Sequence, residues 1–155
     1  MRLRPFATII VGPSAPIREG LSRTLSAADF PIVASARCIY DLALCSLAPG
    51  HSTLLVIDAA ADPKAAIEQI GHFKQRLPAA RIAVLVDYYQ PDEIISAFRA
   101  GANAYCEKSM MGAAFVKLLE LVMLGETIVP SAILPAILRV DDNDCEPMEC
   151  IVAIK

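Results

Sequence analysis

The reading turns on Leu54-Leu55-Val56-Ile57-Asp58-Ala59-Ala60-Ala61-Asp62-Pro63. Four apolar residues, two of them β-branched, read as a buried strand. The run ends on a carboxylate. Three alanines follow, then Asp62-Pro63, a helix start in which Asp62 caps and Pro63 takes the first helical position. Asp58 is therefore expected at the carboxyl end of a central parallel strand. Open α/β sheets gather their binding and reacting groups at that edge.

The same alternation runs outward in both directions. Ala7 to Val11 is a short apolar run stopped by Gly12-Pro13. Ile17, Leu21 and Leu25 recur at four-residue spacing and predict a helix from about Pro16 to Ala28. Pro31 to Ala36 reads as a second strand, and Asp41 to Leu47 as a short helix closed by Pro49-Gly50. After the Asp58 strand, Ile67, Ile70, Phe73 and Leu77 line one helix face that Pro78 ends. Arg81 to Val86 is a fourth strand. Gln90-Pro91-Asp92-Glu93 starts a helix with acids at its positive end, and Gly101 is placed to terminate it. Asn103 to Cys106 is a fifth strand, followed by a helix through Phe115, Val116, Leu119, Val122 and Met123 that Gly125 ends. Strand and helix alternate five times, which predicts an α/β fold with helices on both faces of a parallel sheet.

The composition agrees with one globular domain and removes several functions. The chain has 155 residues, 55% hydrophobic and 20% charged, so it can bury a core. A net charge of −3 gives no footprint for nucleic acid. Cys38, Cys45, Cys106, Cys145 and Cys150 match no zinc or thioredoxin spacing, and their apolar neighbours suggest reduced thiols in a cytoplasmic protein. The N-terminal apolar run is too short for a signal peptide or a membrane span, so no membrane partner is expected.

In a doubly wound sheet of order 2-1-3-4-5 the ends of strands one, three and five are neighbours, which brings Lys108 to Asp58. On these residues the chain resembles a response-regulator receiver (CheY-like) domain, of the type joined to LuxR-like helix-turn-helix outputs. The matching segments are Ile17-Arg18-Glu19-Gly20-Leu21, Leu55-Val56-Ile57-Asp58, and Ala97 through Lys108, within about residues 7 to 128. The resemblance implies a flavodoxin-like (βα)5 fold and a role in two-component signal transduction. It implies that Asp58 is the phosphoacceptor, served by a histidine kinase, and that Lys108 pairs with the phosphoryl oxygens. Tyr105 is then the switch aromatic whose rotamer reports the state of the site. A phosphoryl group adds roughly −1.5 to −2 charge, which an ammonium offsets.

Three departures qualify that implication. Receivers carry two acids after strand one to hold a divalent cation; here the positions are Gly12-Pro13, followed by Ser14. Neither Gly nor Pro offers a side-chain oxygen, so Mg2+ would keep only Asp58, backbone carbonyl groups and water. At the switch position that usually carries a hydroxyl stands Val86; losing a hydrogen bond to a charged group costs about 1.5–3 kcal/mol. The proline of Ala59-Ala60-Ala61-Asp62-Pro63 falls one residue late. Asp87 follows Val86, where it reads as a loop-capping acid. The expectation is a degenerate receiver with impaired or absent phosphorylation, acting through conformation and dimerisation.

Other readings of the same residues are an ordinary receiver phosphorylated at Asp58, and a small-ligand-binding or enzymatic domain on this fold. Against an enzyme stand the lack of a Gly-rich phosphate loop and of a G-x-S-x-G elbow, with neither His51 nor His72 at a predicted strand end. Leu118, Leu121 and Leu124 add to the apolar helix after Phe115, so an exposed face and a homodimer are expected. Residues 129–155 are read as a separate C-terminal part. Ser131 to Arg139 could form a short helix and Asp141 to Glu149 a linker. Ile151 to Ile154 is apolar with no evident partner. It would lead to a missing output domain, through which alone the protein would meet DNA in transcription regulation.

Overall fold

The protein is described by a computed structural model that covers residues 6–42, 52–110 and 112–131, and the backbone of 151–154. Strands β1 (Phe6–Val11), β2 (Ile32–Ala36), β3 (Ser52–Asp58), β4 (Arg81–Val86) and β5 (Ala104–Glu107) alternate with helices α1 (Ala15–Ala27), α2 (Pro63–Arg76), α3 (Pro91–Ala100) and α4 (Ala113–Met123). Two further strands, β6 (Thr127–Pro130) and β7 (Ile151–Ile154), follow. All pairings are parallel, in the order β2-β1-β3-β4-β5-β6-β7. The expected doubly wound sheet of order 2-1-3-4-5 is thus present and extended by two strands.

Because side chains alternate across a strand, each strand feeds two cores. Ile9, Val11, Leu55, Ile57, Ile82, Val84 and Tyr105 lie on the face covered by α2 and α3, together with Ile70, Phe73, Ile94 and Ala97. Ile10, Leu54, Val56, Ala83, Leu85 and Cys106 lie on the other, with Leu21 and Leu25 of α1 and Phe115, Leu118, Leu119 and Val122 of α4. Sheet residues buried from both sides must be apolar in unbroken runs, which is what Leu54–Ile57 are. Burial pushes the Cys106 thiol up to about 12.

Helix ends form as their residues dictate. The Asp62 carboxylate accepts the Ala65 N–H at 3.1 Å, with Pro63 in the first turn. Gly101, at φ 125°, closes α3 by donating to the carbonyls of Ala97 and Phe98.

Five expectations need correction or placement. Ile39–Asp41 form a 3-10 turn, and the rest of the helix expected over 41–47 lies outside the described residues. So do most of the Ser131–Arg139 helix and the Asp141–Glu149 linker. The expectation that Ile151–Ile154 lacks a partner is wrong: it pairs with β6, Thr127 opposite Ile151 through Pro130 opposite Ile154. The exposed apolar face expected on α4 is narrower than its composition suggests. The sheet and α1 cover Phe115, Leu118, Leu119 and Val122, leaving Leu121 and Leu124 as the large exposed apolar residues of this segment.

Asn103 is the joint of the sheet's far half. Its side-chain oxygen accepts the Ile82 N–H at 2.9 Å, its own N–H donates to the Ile82 carbonyl at 2.7 Å, and its carbonyl accepts the Ile128 N–H at 2.8 Å. Asn103→Ala leaves a buried N–H without its partner, a loss of about 1–3 kcal/mol. Urea unfolding measures this; a change under about 0.5 kcal/mol would mean that another group satisfies Ile82.

Candidate functional site

Asp58 is the last residue of β3 and lies opposite Leu85 of β4. The buried run before it fixes its backbone, and its side chain is only 4% exposed. Both carboxylate oxygens are engaged. Oδ1 accepts the Ala60 N–H at 3.1 Å, and Oδ2 lies 3.1 Å from Lys108 Nζ. Lys108 opens a 3-10 turn, Lys108–Met110, directly after β5, so the ends of β3 and β5 deliver the pair across the end of β4. In a site this dry the attraction is stronger than in water, while desolvation of both charges opposes it. The pair therefore fixes geometry more than it adds net stability, and removing one partner alone is costly.

Lys108 also lies 3.8 Å from Asp87 Oδ1. Asp87 is 55% exposed, so this second contact is screened and contributes little. Val86, at the end of β4, is buried opposite Glu107 and presents only methyl groups. Tyr105 is fully buried, with ring centroids 6.4 Å from Tyr89 and 6.5 Å from Phe98. Burial, reinforced by Glu93 and Tyr89, raises its phenol well above the ordinary range.

The third strand end carries Gly12 and Pro13. Gly12 is buried, donates its N–H to Ala36 and accepts the Arg18 guanidinium on its carbonyl. A Cβ at this position would stand 2.9 Å from Asp58 Cβ, inside any normal contact. Any side chain at position 12 would therefore begin inside contact distance of the Asp58 side chain. Pro13 is exposed.

Receivers hold a divalent cation at this place, and the donor set here does not suit one. Mg2+ demands near-octahedral oxygen ligation. Both oxygens of Asp58 and the Gly12 carbonyl already have partners. Among the described residues no group of three or more His, Cys, Asp or Glu is placed to hold a metal ion.

The geometry thus brings Asp58, Lys108, Asp87 and Gly12 together at one sheet edge, with Val86 and Tyr105 behind them. Sequence reasoning missed the roles of Tyr89 and Arg18. Arg18 lay in a quoted motif without a partner, and the Tyr88-Tyr89 pair, unusual in a loop otherwise polar, was the available signal for the former.

Gly12→Ala should cost about 1–3 kcal/mol, as overpacking does. In an Asp58→Gly background, where the opposing Cβ is gone, the same change should cost less. Thermal or urea melts of the four proteins check this, and equal costs in both backgrounds would place the strain elsewhere.

No family model matches the sequence, and no curated protein matches it. Solved structures do. A two-component response regulator of the LuxR family from Aurantimonas sp. is 25% identical, with a TM-score of 0.72 over 88% of this chain and 99% of that one. The isolated receiver domain of RcsB from Salmonella enterica serovar Typhimurium, in the presence of the phosphomimetic BeF3-, is 18% identical, with a TM-score of 0.68 over 84% and 96%. RcsB dimers bound to two parallel DNAs give 17% identity and a TM-score of 0.69, over 84% of this chain and 66% of that one. With its parallel order β2-β1-β3-β4-β5 and a carboxylate and a lysine meeting at one edge, this chain has the fold of response-regulator receiver domains.

Proposed function

We propose that this chain is an atypical receiver domain of two-component signalling, which controls an output through its conformation and self-association while phosphoryl transfer at Asp58 is impaired. The observation that carries this reading is the closeness of Gly12 to Asp58, where an added Cβ would stand 2.9 Å from Asp58 Cβ. Where receivers place acids that hold the cation, Gly12 and Pro13 offer no side-chain oxygen. Phosphoryl transfer depends on positioning and on neutralising developing charge. Here Lys108 is the neutralising group beside Asp58, and Val86 supplies no hydroxyl. The missing hydroxyl alone corresponds to about 1.5–3 kcal/mol, a tenfold to hundredfold effect.

In this reading Asp58 is the remaining phosphoacceptor position, Lys108 its counter-ion and Tyr105 the switch aromatic. The protein is a cytoplasmic signalling protein and not an enzyme; among the described residues no helix is long and apolar enough to cross a membrane. Its partners are a second copy and, where phosphorylation persists, a histidine kinase. Transcription regulation would come from a DNA-binding output joined after the receiver. The chain itself carries a net charge of −3, which does not favour phosphate contact.

Incubation with acetyl phosphate and Mg2+, followed by intact-mass measurement, tests the proposal. Only a minor fraction should gain a phosphoryl group. Stoichiometric, Mg2+-dependent addition that Asp58→Asn abolishes would refute it. Restoring acids by Gly12→Asp and Pro13→Asp together with Val86→Thr should raise labelling only so far as the chain can move β1 away from Asp58. Light scattering across a concentration series should show a dimer; a monomer throughout would remove self-association from the reading.

A further inference from the structure

The loop between β4 and α3, residues 87–90, is held on the end of β5 by one hydrogen bond, with a weak, screened charge contact beside it. Tyr89 Oη accepts the Glu107 N–H at 3.2 Å. Asp87 Oδ1 approaches Lys108 Nζ at 3.8 Å. Glu107 and Lys108 are consecutive, so both contacts land on the residues that set Lys108 against Asp58. The Tyr89 ring also stands beside Tyr105, which Phe98 approaches as well. Its neighbour Tyr88 is 77% exposed, so one tyrosine of the pair is a strap and the other faces solvent. Burial raises both the Tyr89 and the Tyr105 phenols, so neither ionises at neutral pH.

Val86, at the foot of the loop, offers no hydroxyl that a group attached to Asp58 could pull. We propose that Tyr89 is a built-in clamp: it fixes the β4–α3 loop on β5 and Tyr105 in its buried rotamer, so that this side of the domain is set in one state whatever happens at Asp58. The proposal rests on the receiver reading, in which the Tyr105 rotamer reports the state of the site. Tyr89 acts here as a positioning residue, through Glu107 and Tyr105. Losing one hydrogen bond of ordinary strength changes a two-state equilibrium by roughly two- to tenfold.

The test uses the full chain labelled with 3-fluorotyrosine. It contains four tyrosines, and Tyr105→Phe assigns the relevant fluorine signal. In the unsubstituted protein the Tyr105 signal should be single, should not shift between H2O and D2O, and should not move when beryllofluoride and Mg2+ are added. Tyr89→Phe removes only the oxygen and should raise a solvent-exposed Tyr105 population about two- to tenfold, with Tyr89→Leu raising it further. An unchanged Tyr105 signal in both variants overturns the clamp. So does an unsubstituted protein whose Tyr105 signal is already divided or moves with beryllofluoride, a result that needs no variant to fold. Stoichiometric labelling by acetyl phosphate with an unmoved Tyr105 signal would instead overturn impaired phosphorylation and leave the clamp standing.

Discussion

A parallel sheet covered on both faces leaves polar groups almost nowhere to go except its ends. Leu54 to Ile57 are buried from both sides, and neighbouring strands repeat the pattern. A charge in those runs would be desolvated without a partner. Asp58, Lys108, Asp87 and Gly12 meet at the carboxyl edge because it is the first place where a strand meets water and loops. The site follows from the core.

Within that edge, charge balance has been rearranged. A carboxylate that accepts a backbone N–H and an ammonium at 3.1 Å each is satisfied as it stands. Gly12 lies so close that a Cβ there would stand 2.9 Å from Asp58 Cβ, so no side chain fits at position 12 unless the two residues move apart.

Most of the fold was legible in the sequence, because strong apolar periods and unambiguous helix starts such as Asp62-Pro63 and Gln90-Pro91 state their structure locally. The pairing of Asp58 with Lys108 was legible too, since it needs only strand order. What escaped depended on contacts distant in sequence. Four residues at Thr127–Pro130 show no periodicity of their own and become a strand because β5 has an edge to offer. Ile151–Ile154 looked unpartnered because its partner, β6, had not been recognised. The α4 face looked too apolar for one layer because the depth of its contact with the sheet and α1 could not be read from the helix alone. The closeness of Gly12 to Asp58 and the reach of Tyr89 to Glu107 are matters of ångströms, which spacing does not encode.

The added strands change the mechanics of β5. With β4 on one side and β6 on the other, β5 is an interior strand. Asn103, just before it, holds Ile82 with its side-chain oxygen and its N–H, and Ile128 with its carbonyl. Strands joined this way cannot slide separately without breaking main-chain hydrogen bonds. The C-terminal strand is thus joined to the strand that ends at Lys108 by main-chain pairing through β6, like the outer plank of one continuous deck.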